Sequence, residues 1–212
     1  MGMSLHTGRP KASHIQLPLQ WFDHILRHVG PLLPFPVFVV RWMVSNIGPP
    51  DPLHLGRGNW PDVLAVYICM TVLRTVIYLL HRAGFFAFLT AAGAVSALPV
   101  HLMSDHVFLG SCLVSAFVSE GFLLALDIRR ASQARPKRVI QRKLLLVNLM
   151  VCTALFYLTC ADMFYTCQYF HVPLENWWAA FSGFVFFQVP MGYWLLTGRY
   201  SQLRMASWVS TP

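Results

Sequence analysis

The apolar residues of this 212-residue chain are gathered into blocks of about 20 residues, and this feature constrains its fold more than any other. A helix of about 20 mostly apolar residues crosses a hydrocarbon core of about 30 Å. Charged residues make up 11% of the chain, against about 25% in soluble domains. We therefore predict an all-α, multi-pass membrane helix bundle. The clear spans are residues 61–80, 84–103, 106–126, 144–164 and 177–198.

A shorter apolar block, residues 31–47, is predicted to be an additional first span, which brings the total to six. Its prolines, Pro34 and Pro36, are best tolerated in the first turn of a helix. Before it, apolar residues follow helical spacing through residues 19–29, as in an interfacial helix lying against the membrane. We thus divide the chain into an N-terminal tail and interfacial helix (1–30), a six-span membrane domain (31–198) and a C-terminal tail (199–212).

Basic residues predict the orientation of the chain. The net charge is +8, and seven of the 16 Lys and Arg residues lie between Arg129 and Lys143. Short loops rich in Lys and Arg stay on the cytoplasmic side of a membrane. With six alternating spans, both termini share that side, and segments 48–60 and 165–176 lie on the outer face. The second and fourth spans then run in the same direction, and the organelle is left open.

The same basic stretch bears on partners. Because residues 129–143 lie between two membrane spans, they favour contact with anionic lipid over binding to nucleic acid. Protein partners are left open. The five cysteines include no C-x-x-C pair, and their odd number argues against a disulfide framework.

Ionisable residues within spans are candidates for function. Arg74 and Glu120 each lie about 20 Å from the outer end of their span, at 1.5 Å per residue. We predict that they form a buried ion pair that fixes the helix register, or else part of a proton or ion path. Arg41, in the first span, is a competing partner for Glu120.

Chemically reactive side chains collect at the predicted outer ends of the fourth and sixth spans. They are Asp105, His106, His171 and Glu175. A carboxylate beside an imidazole orients it and raises its basicity, and His171 and Glu175 have the i, i+4 spacing that brings helical side chains together. The alternative is helix capping, by Ser104 or Asp105 for the fourth span and by Asn176 for the sixth. His101 and His106 lack zinc-site spacing, so neither metal nor cofactor is expected.

Two segments resemble signatures of the type 2 phosphatidic acid phosphatase superfamily. They are S-x-H at Ser104 to His106, and Y-x-x-x-Y-F-H-x-P-x-E at Tyr165 to Glu175. That family has six spans, with its second signature between spans three and four and its third between spans five and six. The resemblance implies that His171 is the nucleophile, that His106 protonates the leaving oxygen, and that Glu175 orients His171. No metal is then needed.

The chain departs from the family in its cations. Tyr165 stands where the family has Arg, Asp105 stands where it has Gly, and residues 84–103 lack the basic residues of its first signature, K-x6-R-P. Phosphoryl transfer depends on such charges. Two functions therefore remain open: a divergent lipid phosphatase or phosphotransferase, and a non-catalytic membrane protein that binds lipid or serves as a subunit or scaffold of a membrane complex.

Overall fold

The computed structural model describes residues 19–45, 60–82, 104–133, 139–170 and 173–197. These residues are almost entirely helical and contain no strand, which confirms the all-α prediction. The helices are α1 (Gln20–Val29), a 3₁₀ turn (Gly30–Leu32), α2 (Pro34–Ser45), α3 (Trp60–Arg82), α4 (Asp105–Gln133), α5 (Val139–Phe170), α6 (Pro173–Gly183), a π-helical turn (Phe184–Gln188) and α7 (Val189–Thr197).

Four helical stretches are long and apolar enough to cross a membrane, which supports a multi-pass membrane protein. They are Asp62–Leu80, His106–Arg129, Val139–Tyr169 and Pro173–Thr197. A shorter apolar stretch covers Gly30–Ser45. The predicted third span, 84–103, lies outside the described residues, so a total of six spans stays a prediction.

Helix α4 is the centre of the bundle, since 72% of its span is buried against 17% to 22% of the other three. Its buried serines, Ser111, Ser115 and Ser119, recur every fourth residue. Each hydroxyl donates to the carbonyl four residues earlier, at 2.7 to 2.9 Å. These small side chains are satisfied within α4, so neighbouring helices can approach it closely.

Helices α5 and α6 pack on α4 in opposite directions. The Cys152 thiol of α5 donates to the Phe117 carbonyl at 3.3 Å, while Gly110 near the start of α4 faces Met163 near the end of α5. Helix α5 is therefore antiparallel to α4. The Glu175 carbonyl near the start of α6 accepts the Ser104 N–H, and Gly183 lies against Ser111. Helix α6 therefore runs parallel to α4, as alternating fourth, fifth and sixth spans require.

Helices α1 and α2 form one broken helical run that lies parallel to α4. Four successive contacts trace it: Asp23 with His106, Gly30 with Leu113, Arg41 with Glu120, and Ser45 with Asp127. The run is about 39 Å long at 1.5 Å per residue, and the break falls at Gly30 and Pro31. Helix α1 thus begins at the His106 end of α4. Its predicted place at the opposite end, beside the basic loop (residues 129–143), is wrong.

Helix α3 is antiparallel to α4. The Tyr67 hydroxyl donates to Glu120, whereas the Met70 carbonyl lies 4.0 Å from the Cys112 thiol, nearer the start of α4. The prediction that these two spans run in the same direction is wrong. The predicted direction depended on counting residues 84–103 as one crossing, because loop charges fix the direction of a span only when the number of crossings between the loops is known. Helix α3 accordingly ends, at Arg82, toward the end of the bundle where α4 begins.

Candidate functional site

A buried ion-pair network joins three helices at the centre of the bundle. The Arg41 guanidinium of α2 forms a salt bridge with Glu120 of α4, and its Nη2 lies 3.4 Å from Oε2. Tyr67 of α3 donates its hydroxyl hydrogen to the same Oε2 at 2.6 Å. Glu120 is fully buried. Because its charge is paired and hydrogen-bonded, this network can hold three helices in register.

The network extends toward the basic-loop end. Arg41 Nη1 lies 3.4 Å from Asp127 Oδ2, and the Ser45 hydroxyl donates to the same oxygen at 3.3 Å. From α5, Gln141 and Asn148 donate their amide hydrogens to carbonyls of α2 at 3.1 and 2.9 Å. Helix α2 is therefore held by polar contacts with both α4 and α5.

The predicted pairing of Arg74 with Glu120 is wrong, and Arg41, the competing partner, takes that place. The direction of α3 is the reason, because it puts Arg74 near Leu113 and Gly30, about two turns along α4 from Glu120. Arg74 is only 2% exposed. Among the described residues, its Nε has no hydrogen-bond partner.

The starts of α4 and α6 meet at the opposite end of the bundle from the basic loop. The Ser104 N–H donates to the Glu175 carbonyl at 3.4 Å. The Ser104 hydroxyl accepts the Val107 N–H at 3.4 Å, which confirms Ser104 as the cap of α4. Helix α6 starts at Pro173, a residue favoured in the first helical turn. Asn176 therefore lies inside this helix and donates to the Cys167 carbonyl at 3.5 Å, so its predicted capping role is wrong.

His106 lies in the first turn of α4, beside a carboxylate from α1. Its Nε2 is 3.3 Å from Asp23 Oδ1, and Asp23 is buried. Sequence reasoning missed Asp23 because it placed α1 at the other end of the bundle. A usable signal was present, since the apolar face of α1, with Phe22 and Leu26 buried, leads directly through Gly30 into the apolar helix α2.

The predicted site residues are described only in part. His106 and Glu175 are half-buried and lie at the same end of the bundle, where α4 and α6 begin. His171 and the side chain of Asp105 lie outside the described part of the chain. Asp162 of α5 is buried about one turn below His106 and was not among the predicted site residues. No three His, Cys, Asp or Glu residues in the described ranges are grouped to hold a metal ion.

Two kinds of charge meet at this end. The amino ends of α4 and α6 both carry the partial positive charge of a helix N-terminus, which favours anions. Two carboxylates, Asp23 and Glu175, lie on the same end and oppose an anion. No family model, curated protein or solved structure matches this chain.

Proposed function

We propose that this chain is an integral membrane protein that acts on a lipid phosphate at the His106 end of the bundle, as a divergent lipid phosphatase or phosphotransferase. His171 attacks phosphorus and forms a phosphohistidine, and His106 protonates the leaving oxygen. Glu175 orients His171. Water, or a second alcohol, then takes the phosphoryl group, which divides one difficult displacement into two easier steps.

The direction of α3 carries this proposal. Because α3 is antiparallel to α4, the helix that ends at Arg82 ends toward His106. In the superfamily a basic signature lies near the outer end of span three, which here corresponds to residues 84–103, and that segment contains no Lys or Arg. Arg74 of α3 lies on the His106 half of the bundle, near Gly30 and Leu113. We propose that Arg74 supplies the positive charge that phosphoryl transfer requires.

The paired starts of α4 and α6 support the same assignment. Ser104 and Glu175 are joined through their backbones, so two helix N-termini lie side by side. Backbone N–H groups at such ends bind phosphate oxygens, and the helix dipole adds to the attraction. By the positive-inside rule, this end faces the lumen or the outside, and the basic loop faces the cytoplasm.

Asp23 favours the second candidate, a non-catalytic membrane protein that binds lipid or serves as a subunit of a membrane complex. Its carboxylate oxygen lies 3.3 Å from His106 Nε2. A phosphate bound there has to displace that carboxylate or accept its repulsion.

The basic loop has a separate proposed role in lipid binding. Arg142 and Lys143 are exposed in the first turns of α5. Basic residues next to a membrane span attract anionic headgroups, at about 1 kcal/mol for each residue near the surface. We propose that segment 129–143 contacts anionic lipid and holds this end of the bundle at the cytoplasmic surface.

The decisive experiment is phosphate release by the full-length protein in lipid nanodiscs that contain phosphatidic acid or a lipid pyrophosphate. We expect His171→Ala and His106→Ala to abolish release. The matched control is His28→Ala, because His28 is exposed on α1 and has no proposed role. Release that survives His171→Ala would refute the catalytic assignment. Binding of the lipid phosphate without any release by the wild-type protein would support the second candidate.

A further inference from the structure

Helices α3 and α4 meet the segment that connects them, residues 83–103, at the same end of the bundle. Helix α3 runs toward the His106 end and ends at Arg82. Helix α4 begins at that end, with Asp105 as its first residue. Because each of these helices crosses the membrane, segment 83–103 leaves and returns on one face. The number of crossings within it is therefore even.

The length of segment 83–103 excludes two crossings. Two helical spans need about 40 residues, at about 20 residues for each. This segment has 21 residues. The even number is therefore zero, although the length and composition of the segment are those of a single span.

The composition of segment 83–103 separates it from an ordinary surface loop. It contains no Lys, Arg, Asp or Glu, and it has three phenylalanines. The connection between α2 and α3, residues 46–59, joins two helix ends at the opposite end of the bundle and contains Asp51, Arg57 and three prolines. An apolar segment of 21 residues is far more stable in hydrocarbon than in water.

We propose that residues 83–103 enter the leaflet on the His106 side and return to the same face, so that the chain crosses the membrane five times. About ten residues of helix reach about 15 Å, half the depth of the hydrocarbon core. Small residues, 90–94, occupy the midpoint of the segment, and Gly93 permits a sharp turn there. Backbone groups at such a turn need partners within protein, so the segment packs on the His106 half of the bundle.

Five crossings put the two termini of the chain on opposite faces. Helix α1 begins at the His106 end, whereas α7 ends at the basic-loop end, because α6 runs parallel to α4. Six crossings would put both termini on one face. The proposal rests on helix directions and does not depend on the catalytic function, so a failure of one leaves the other standing.

The experiment uses the full-length protein in sealed vesicles that are captured through an outward-facing C-terminal tag, so that every vesicle has the same orientation. A site-specific protease is added outside, and fragments are followed by the C-terminal tag. Its recognition sequence is inserted at one position in each variant: between Arg82 and Ala83, between Leu102 and Met103, after Gly93, or, as the control, between Arg135 and Pro136. Thermal unfolding compares each variant with the wild type.

We expect the control site to be cut in intact vesicles. Both junction sites, after Arg82 and after Leu102, should be cut only once a pore-forming toxin admits the protease. The site after Gly93 should stay protected until detergent dissolves the lipid. Cutting of only one junction site in intact vesicles would show a crossing and overturn the proposal. Cutting after Gly93 in toxin-treated vesicles would place the segment in water and also overturn it.

Terminal tags repeat the test without any insertion between helices. An N-terminal tag on the otherwise wild-type protein should resist protease in the captured vesicles and be lost after toxin treatment. An N-terminal tag that is digested in intact vesicles would put both termini on one face. That result means an even number of crossings and overturns the proposal.

Discussion

The guanidinium of Arg41 forms an ion pair with the carboxylate of Glu120, and this buried contact joins α2 to α4. Tyr67 of α3 donates a hydrogen bond to the same carboxylate. Three helices from different parts of the chain therefore meet at one buried charge. The stability of the bundle depends on keeping this group complete, because an unpaired charge in that position is costly.

Arg41→Met should lower the free energy of unfolding by about 3–5 kcal/mol, since it leaves the Glu120 carboxylate buried without its cation. Unfolding in detergent, followed by circular dichroism, measures this loss. The control is Arg142→Met, because Arg142 is exposed. The double variant Arg41→Met with Glu120→Leu should lose less than the single one. Additive losses would show that the two side chains are not coupled.

Tyr67→Phe should lower stability by about 1.5–3 kcal/mol, the usual range for a hydrogen bond to a charged group. The substitution removes the 2.6 Å hydrogen bond to Glu120 and keeps the aromatic packing. Tyr157→Phe is the matched control, as Tyr157 is 66% exposed on α5. Equal stabilities for the two variants would argue against a structural role for the hydroxyl.

Arg74→Met should raise the free energy of unfolding by about 1–3 kcal/mol, because it replaces a buried cation whose Nε lacks a described partner with an apolar side chain of similar length. The same change should reduce turnover of lipid phosphate if Arg74 supplies charge to the site. Thermal unfolding and phosphate release measure the two effects. A loss of stability would reveal a partner for Arg74 beyond the described residues.

Gly183→Ala should destabilise the bundle by about 1–3 kcal/mol, because the added methyl group overlaps the Ser111 side chain of α4. Ser111→Gly in the same protein should restore much of the loss by making room for the methyl group. Gly192→Ala in α7, where the added methyl group meets no atom within 4 Å, is the control and should not lower the unfolding temperature. A fully stable Gly183→Ala protein would place α6 further from α4 than the structure does.

Asp23→Asn should strengthen binding of a lipid phosphate about 3- to 10-fold, since it removes a negative charge 3.3 Å from His106. Asp62→Asn is the control, because Asp62 is exposed at the far end of α3. The KM for phosphate release, or the Kd for a labelled lipid phosphate, reports the change. Weaker binding after Asp23→Asn would mean that Asp23 positions His106 in the bound state.

Local features of the fold were predictable, whereas the partners of individual side chains were not. Apolar blocks placed both ends of α3 and the start of α4 within two residues, and Ser104 was one of two predicted caps of α4. For the candidate site, sequence identified His106 and Glu175 as residues at the ends of helices that begin on one face. It did not identify Asp23 as the neighbour of His106, and it paired Glu120 with Arg74 ahead of Arg41. Both contacts depend on which helices are neighbours.

Sequence alone determined that this chain forms apolar helices of membrane-crossing length, because helix formation and transfer into lipid depend on runs of consecutive side chains. Tertiary structure alone decided that α1 and α2 form one broken run beside α4 and that α3 returns antiparallel to α4. Helix direction and pairing arise from packing between residues far apart in the chain, such as Arg41 and Glu120. Because of those contacts, Arg74 is not the ion-pair partner of Glu120. It is a buried cation on the His106 half of the bundle.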